Sequence, residues 1–170
     1  MIKICFADEK ENEIMDLTIT ITYSAVLTRC SMLSQYEGRD RHDEAGKDLY
    51  EKIIITDQDK ALIEDFLSRS LVAARQALDD MITNISIGSG SSLGSETWTI
   101  RSTQRRYDRK GYNGLSTHIM EALAASVMTA WLKYQKVEER SAFYQTIYDN
   151  EMKMISDNLH TKAAPQRPTT

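Results

Sequence analysis

The spacing of hydrophobic and polar residues changes several times along the chain, and each change marks the boundary of a predicted element. Residues 17–23 alternate strictly between apolar or aromatic residues and threonine, which is typical of a strand with one buried face. Apolar residues then recur at helical spacing from about Ser24 to Gln35, which predicts a short helix. Residues 37–52 carry dense charge of both signs and predict a loop. Residues 53–55 are three isoleucines, which indicate either a short strand or the lead-in to the next helix.

The strongest helical pattern covers residues 57–84. A broad apolar stripe runs through this range, and most of the charged residues lie on the other face of the predicted helix. Thr56 or Asp57 suits the N-cap, and Asp57 and Asp59 suit the positive end of a helix dipole. At ~1.5 Å per residue, the predicted helix is ~40 Å long and spans the whole domain.

Alternation returns after this helix and predicts a β-hairpin at about 85–101, with a Gly-Ser-rich tip at 88–95. Helical spacing resumes near Leu115 or Ser116 and, after a break, continues in a further helix whose first turn contains the acidic residues of 138–139. Residues 161–170 contain two prolines and predict an extended tail.

The predicted fold class is therefore mainly α. We expect a helical bundle of three long helices plus a short one, with a β-hairpin and an extended C-terminal tail. Residues 1–160 are predicted to form a single domain, and 161–170 the tail. Hydrophobic residues at 41% and charged residues at 27% agree with an ordinary globular protein.

The two cysteines, Cys5 and Cys30, form no CxxC pair and have no zinc-like spacing. Two small buried side chains in a reducing compartment are the favoured interpretation, and a Cys5–Cys30 disulfide is the alternative. The N-terminal residues are acidic and contain no long apolar run, so neither a signal peptide nor a membrane span is expected.

Candidate chemistry is scarce along the chain. The Gly-Ser run at 88–95 is not followed by Lys-Ser or Lys-Thr and precedes a strand, so it does not fit a phosphate loop. His42, His118 and His160 are far apart and have no partner at metal-ligand spacing. No nucleophile elbow or catalytic cysteine signature occurs. We therefore expect no enzyme, no catalytic residue, no cofactor and no metal.

The segment at 101–110 is the most basic stretch of the chain, whose net charge is -4. It indicates contact with phosphate or with an acidic protein surface, and the acidic whole-chain charge favours a protein partner. A solvated loop is the alternative. The tail is either a free terminus or an arm on a neighbouring subunit. The candidate protein-interaction residues are Trp98, Arg101, Arg105, Arg106, Arg109, Lys110, Pro165, Arg167 and Pro168.

The order of elements resembles the head-to-tail connector (adaptor or neck) proteins of tailed bacteriophages and prophages. The resemblance covers most of residues 20–169. It rests on a charged loop ending in Asp48-Leu49-Tyr50, the string at 55–60, and a long helix that begins Ala-Leu-Ile-Glu-Asp-Phe-Leu. A hairpin, two further helices and a Pro-Gln-Arg-Pro-Thr ending at 165–169 complete it.

The resemblance implies a virion structural protein without catalytic residues. Such proteins form a ring, commonly of about twelve copies, between the portal protein and the tail or other neck proteins. DNA would be passing cargo only, no membrane would be involved, and the protein would lie at the head-tail junction and in the host cytoplasm during assembly. The alternatives are another phage neck or tail-completion protein, or a non-viral helical regulator that binds nucleic acid through 101–110.

Overall fold

The protein is mainly helical and carries a small antiparallel sheet, which confirms the predicted fold class at that level. The computed structural model describes residues 3–6, 15–39, 50–88, 94–102 and 114–160. The strands are β1 (Lys3–Phe6), β2 (Met15–Thr22), β3 (Ile82–Gly88) and β4 (Ser95–Ser102). The helices are α1 (Tyr23–Gly38), α2 (Tyr50–Ile53), α3 (Lys60–Ala77), α4 (Leu115–Tyr134) and α5 (Glu138–His160), with a 3₁₀ turn at Asp57–Asp59.

The four strands pair antiparallel in the order β1-β2-β4-β3. Strands β3 and β4 are the predicted hairpin, although β3 begins three residues earlier than expected, and the tip at 89–93 lies outside the described residues. Strand β2 confirms the alternation at 17–23, except that Tyr23 already begins α1. Strand β1 was not predicted, because a four-residue strand is too short to show a period.

Alternation gives the two central strands one buried face and one polar face. Leu17, Ile19, Ile21, Trp98 and Ile100 are fully buried and join the core. The intervening positions on both strands are threonines, and Thr20 Oγ1 lies 3.2 Å from Thr97 Oγ1 across the strand pair. The apolar face of the sheet is therefore the one that packs in the hydrophobic core.

The predicted helix at 57–84 was too long. A 3₁₀ turn comes first, stabilised by the Thr56 N–H, which donates to the Asp59 carboxylate at 2.9 Å, and α3 then ends at Ala77. Backbone hydrogen bonds from Leu78 to Arg75 and from Met81 to Leu78 turn the chain. The last residues of the apolar stripe lie beyond the end of α3 and belong to the turn and to β3. Ile82, for example, pairs with Ile100 in the sheet.

The remaining helices lie close to their predicted positions. Helix α1 covers the predicted 24–35 range and extends to Gly38, and the isoleucine run at 53–55 starts at the end of α2, as the lead-in interpretation requires. Helices α4 and α5 begin at Leu115 and Glu138, where the pattern placed them. They are joined by a turn in which Lys136 has a φ of 60°.

Helix α4 lies at the centre of the core and contacts the other helices through small residues. Ser70 on α3 donates a hydrogen bond of 2.8 Å to Ser126, and Cys30 on α1 lies against the carbonyl of Ala124. Burial raises the pKa of the Cys30 thiol to about 12. Trp131, near the C-terminal end of α4, is buried and donates its indole N–H to the Ile53 carbonyl at 2.6 Å.

Candidate interaction surfaces

The helices enclose a groove of about 370 Å³ between α1, α4 and α5. Its floor contains the small Ala125 and two ion pairs, and its rim contains aromatic side chains. The lining residues are Arg29, Leu33, Tyr36, Glu37, Glu121, Ala125, Arg140, Phe143, Tyr144 and Ile147. We call this set the helical groove.

A buried carboxylate organises one end of the helical groove. Glu37 is buried, and Arg140 donates two hydrogen bonds to it, at 2.8 Å from Nε and 2.5 Å from Nη2. The Tyr144 hydroxyl donates to the same carboxylate at 3.1 Å. The hydrogen bond to Glu37 raises the pKa of Arg140, and burial, followed by the Glu37 charge, raises the pKa of Tyr144. The cluster thus joins α1 to α5 through satisfied polar groups.

The raised pKa of Tyr144 predicts a loss of stability in alkali. The neutral phenol is favoured in the folded state, so its contribution is complete below pH 10 and is lost as the pH rises from 10 towards the folded-state pKa. Urea unfolding of the wild type and of Tyr144→Phe at pH 8 and pH 11 measures this. We expect the variant to be less stable by about 1 kcal/mol at pH 8. Above pH 10 the wild type should lose its advantage, at up to about 1.4 kcal/mol per pH unit. Parallel loss in both proteins would contradict the assignment.

Apolar side chains extend from the rim of the helical groove into solvent. Tyr36 is 73% exposed and Phe143 is 46% exposed, and the Arg140 guanidinium lies 4.0 Å from the centroid of the Phe143 ring. Met32, one helical turn before Tyr36, is also exposed. A run of exposed aromatic and methionine side chains around an arginine is the composition of a protein-interaction surface.

The second exposed apolar surface is the edge strand β3. Ile87 is 69% exposed and Ile85 is 38% exposed, although their register partners on β4, Glu96 and Trp98, are buried. The seven residues of β3 include neither a charge nor a proline. We call Ile82–Gly88, with the side on which no described strand pairs, the β3 edge.

Beside the β3 edge, a second buried carboxylate fastens the sheet to the helices. Glu96 on β4 accepts hydrogen bonds from the Trp98 indole at 2.7 Å and from the Tyr23 hydroxyl at 3.2 Å. Arg75, in the last turn of α3, completes the cluster at 3.3 Å. Burial, followed by the charge of Glu96, raises the pKa of Tyr23. Residues from β4, α1 and α3 thus meet at one carboxylate.

The sequence-predicted contact residues are distributed differently from these surfaces. The Trp98 side chain is fully buried, because it alternates with Thr97 and Thr99 along β4, and its role as a contact residue stays a prediction. Arg101 lies in β4, opposite Asp16 in the register, and its side chain lies outside the described part. The others also lie outside the described residues, so their roles stay predictions: Arg105, Arg106, Arg109, Lys110, Pro165, Arg167 and Pro168.

Sequence reasoning missed the residues that do form exposed surfaces. Met32 and Tyr36 lie off the buried stripe of α1, and their spacing of four was the signal that could have found them. Ile87 was assigned to the hairpin, but its exposure depends on β3 being an edge strand, which the local pattern does not encode.

No group of three or more His, Cys, Asp or Glu side chains in the described ranges is placed to hold a metal ion. His118 instead pairs with Glu151 across α4 and α5 at 2.6 Å. No helix in the described part is both long and apolar enough to cross a membrane.

Comparison with known proteins gives no match. No protein-family model matches the chain, and neither a curated protein nor a solved structure matches it.

Proposed function

We propose that the protein is a non-catalytic virion structural protein, a head-to-tail connector that forms a ring between the portal and the tail. The observation that carries the proposal is the presence of two distinct exposed apolar surfaces, the helical groove rim and the β3 edge. A closed ring uses heterologous contacts, in which one patch of each subunit meets a different patch of the next. Exposed apolar patches on separate elements of the chain give a ring subunit surfaces for such contacts.

In this proposal the three long helices α3, α4 and α5 act as a bundle that keeps the two surfaces at fixed positions. The Glu37 cluster supports that role because it joins α1 to α5, which line the helical groove, and the Glu96 cluster supports it because it fastens β4, the strand that pairs with β3, to the helices. The tail at 161–170 acts as an extended arm on a neighbouring subunit, and its two prolines limit the entropy cost of ordering it.

The net charge of -4 suits a subunit that lets DNA pass. An acidic ring repels the phosphate backbone, so DNA moves through without being held. The nucleic-acid regulator alternative requires a net attraction, for which the only candidate is the 101–110 segment. DNA binding by the purified protein, without binding to the portal, is therefore the result that would favour a regulator.

The test compares two kinds of partner for the purified full-length chain. Light scattering after gel filtration measures its mass in a mixture with a tailed-phage portal protein. Fluorescence anisotropy at 50 and 200 mM salt measures binding to duplex DNA. If the protein is a connector, it should form a stoichiometric complex with the portal. It should show no salt-dependent binding to DNA. A regulator would instead lose affinity for DNA by orders of magnitude over this salt range, and that result without a portal complex would overturn the proposal.

A further inference from the structure

The β3 edge has the features of a strand that pairs with another strand. Edge strands of soluble proteins are normally protected by charges, prolines, bulges or a covering element. Strand β3 has no charge and no proline, and its register irregularity lies between Ile82 and Asn84, which leaves residues 84–88 regularly paired with β4. Ile87 near its end is largely in solvent. The strand is therefore suited to accept a further strand.

The topology of the sheet determines which strand of a second copy fits. Among the described strands, β1 and β3 are the two edges of the sheet, and all the pairs are antiparallel in the order β1-β2-β4-β3. With an even number of strands, β1 runs opposite to β3. If the next copy has the same orientation and extends the sheet beyond β3, its β1 lies beside β3. The two strands are then antiparallel, as in sheets built from hairpins.

The alternation of residues on the two edges also agrees. Ile85 and Ile87 are opposite Trp98 and Glu96, on the helix-covered face, and the register places Ile4 and Phe6 on that same face, opposite Ile19 and Leu17. Asn84 and Ser86 share the other face with the positions of Lys3 and Cys5. An antiparallel β1–β3 contact thus places apolar positions beside apolar positions and polar beside polar.

We infer that neighbouring copies join head to tail by pairing the β3 edge of one with β1 of the next, which makes one continuous sheet around the ring. This inference rests on the proposed ring and names its contact. Strand β1 has four residues, so the pairing supplies few hydrogen bonds and sets register and direction, while the helical groove rim supplies further contact area.

Cysteine cross-linking tests the contact directly, because β1 already contains Cys5, while Cys30 is buried and serves as an unreactive control. Asn84→Cys and Ser86→Cys, made separately, place a thiol on the face that the register assigns to Cys5. Mild oxidation of the full chain with the portal protein should give a covalent ladder of dimers, trimers and larger species. The same variants carrying Cys5→Ser should give none.

Each other outcome has a definite meaning. Covalent dimers that persist with Cys5→Ser indicate a symmetric β3–β3 contact and overturn the head-to-tail pairing. Absence of cross-links in a protein that still assembles overturns the edge contact and leaves the ring intact. Absence of any assembly by the wild type overturns the proposed function, and the inference fails with it.

Charge substitution gives an independent measurement. Ile87→Lys adds a charge at an exposed position of the β3 edge, and Met154→Lys adds the same charge at an exposed position on α5. Both should fold as the wild type does, as judged by circular dichroism and melting. We expect Ile87→Lys to raise the dissociation constant of the assembly at least tenfold. Met154→Lys should leave that constant at the wild-type value. Equal behaviour of the two variants would overturn the inference.

Discussion

Trp131→Ala is expected to destabilise the protein by about 3–5 kcal/mol, the usual cost of truncating a buried tryptophan. Trp131 is buried at the centre of the core, and its indole N–H donates to the Ile53 carbonyl at 2.6 Å. Truncation removes the ring and leaves the carbonyl of a buried residue without this donor. Since Ile53 ends α2, the connection between α2 and α4 should weaken as well.

Urea unfolding followed by circular dichroism measures this loss, with Tyr134→Ala as the matched control. Tyr134 lies on the same helix and stacks on Trp131 with centroids 5.9 Å apart, but it is largely exposed, so its loss should be about 1 kcal/mol or less. Trp131→Phe keeps most of the volume and removes the donor, and it should cost about 1–3 kcal/mol. Equal effects of the two alanine variants would show that the core does not depend on Trp131.

Glu96→Ala should have the second largest effect, a loss of about 3 kcal/mol. The carboxylate is buried and holds the Trp98 indole, the Tyr23 hydroxyl and the Arg75 guanidinium. Without it, a buried indole N–H loses its acceptor and a partly buried cation loses its counter-charge. Because the three partners come from β4, α1 and α3, the hairpin should also become mobile relative to the helices.

The free energy of unfolding and hydrogen exchange in β4 test the Glu96 variant. Glu96→Gln keeps an acceptor for Trp98 and should lose less than the alanine variant. Asp65→Ala removes an exposed partner of Arg69 and should change stability by less than about 0.5 kcal/mol. If Glu96→Ala were as mild as Asp65→Ala, the cluster would not fasten the sheet.

Periodicity predicted most of the fold because most elements bury one face. The hairpin, α4 and α5 appear at their predicted positions for this reason. The end of α3 was missed because Leu78, Met81 and Ile82 continue the helical spacing while serving a turn and a strand. Tertiary pairing with β4 decided the conformation there, and local pattern does not contain that information.

The candidate surfaces were predictable only in part. Charge and proline content indicated contact residues in the 101–110 segment and in the tail, and of these only residues 101–102 lie within the described part of the chain. The burial of Glu37 and Glu96 was not predicted, because glutamate is usually a surface residue and nothing nearby in the sequence indicates a buried partner. Their partners are distant along the chain, as the pair of Glu37 with Arg140 illustrates, and only the fold brings them together.

The proposed function predicts a definite assembly, and its mass is the most direct test. Native mass spectrometry of the chain should give a discrete assembly whose mass is a fixed multiple of the 19.4 kDa chain, or, with the portal protein present, that multiple added to the mass of the portal assembly. Electron micrographs of that assembly should show a closed ring with rotational symmetry. A protein that stays at the mass of one chain in every mixture, the portal included, would contradict the proposal that this molecule is a ring-forming connector.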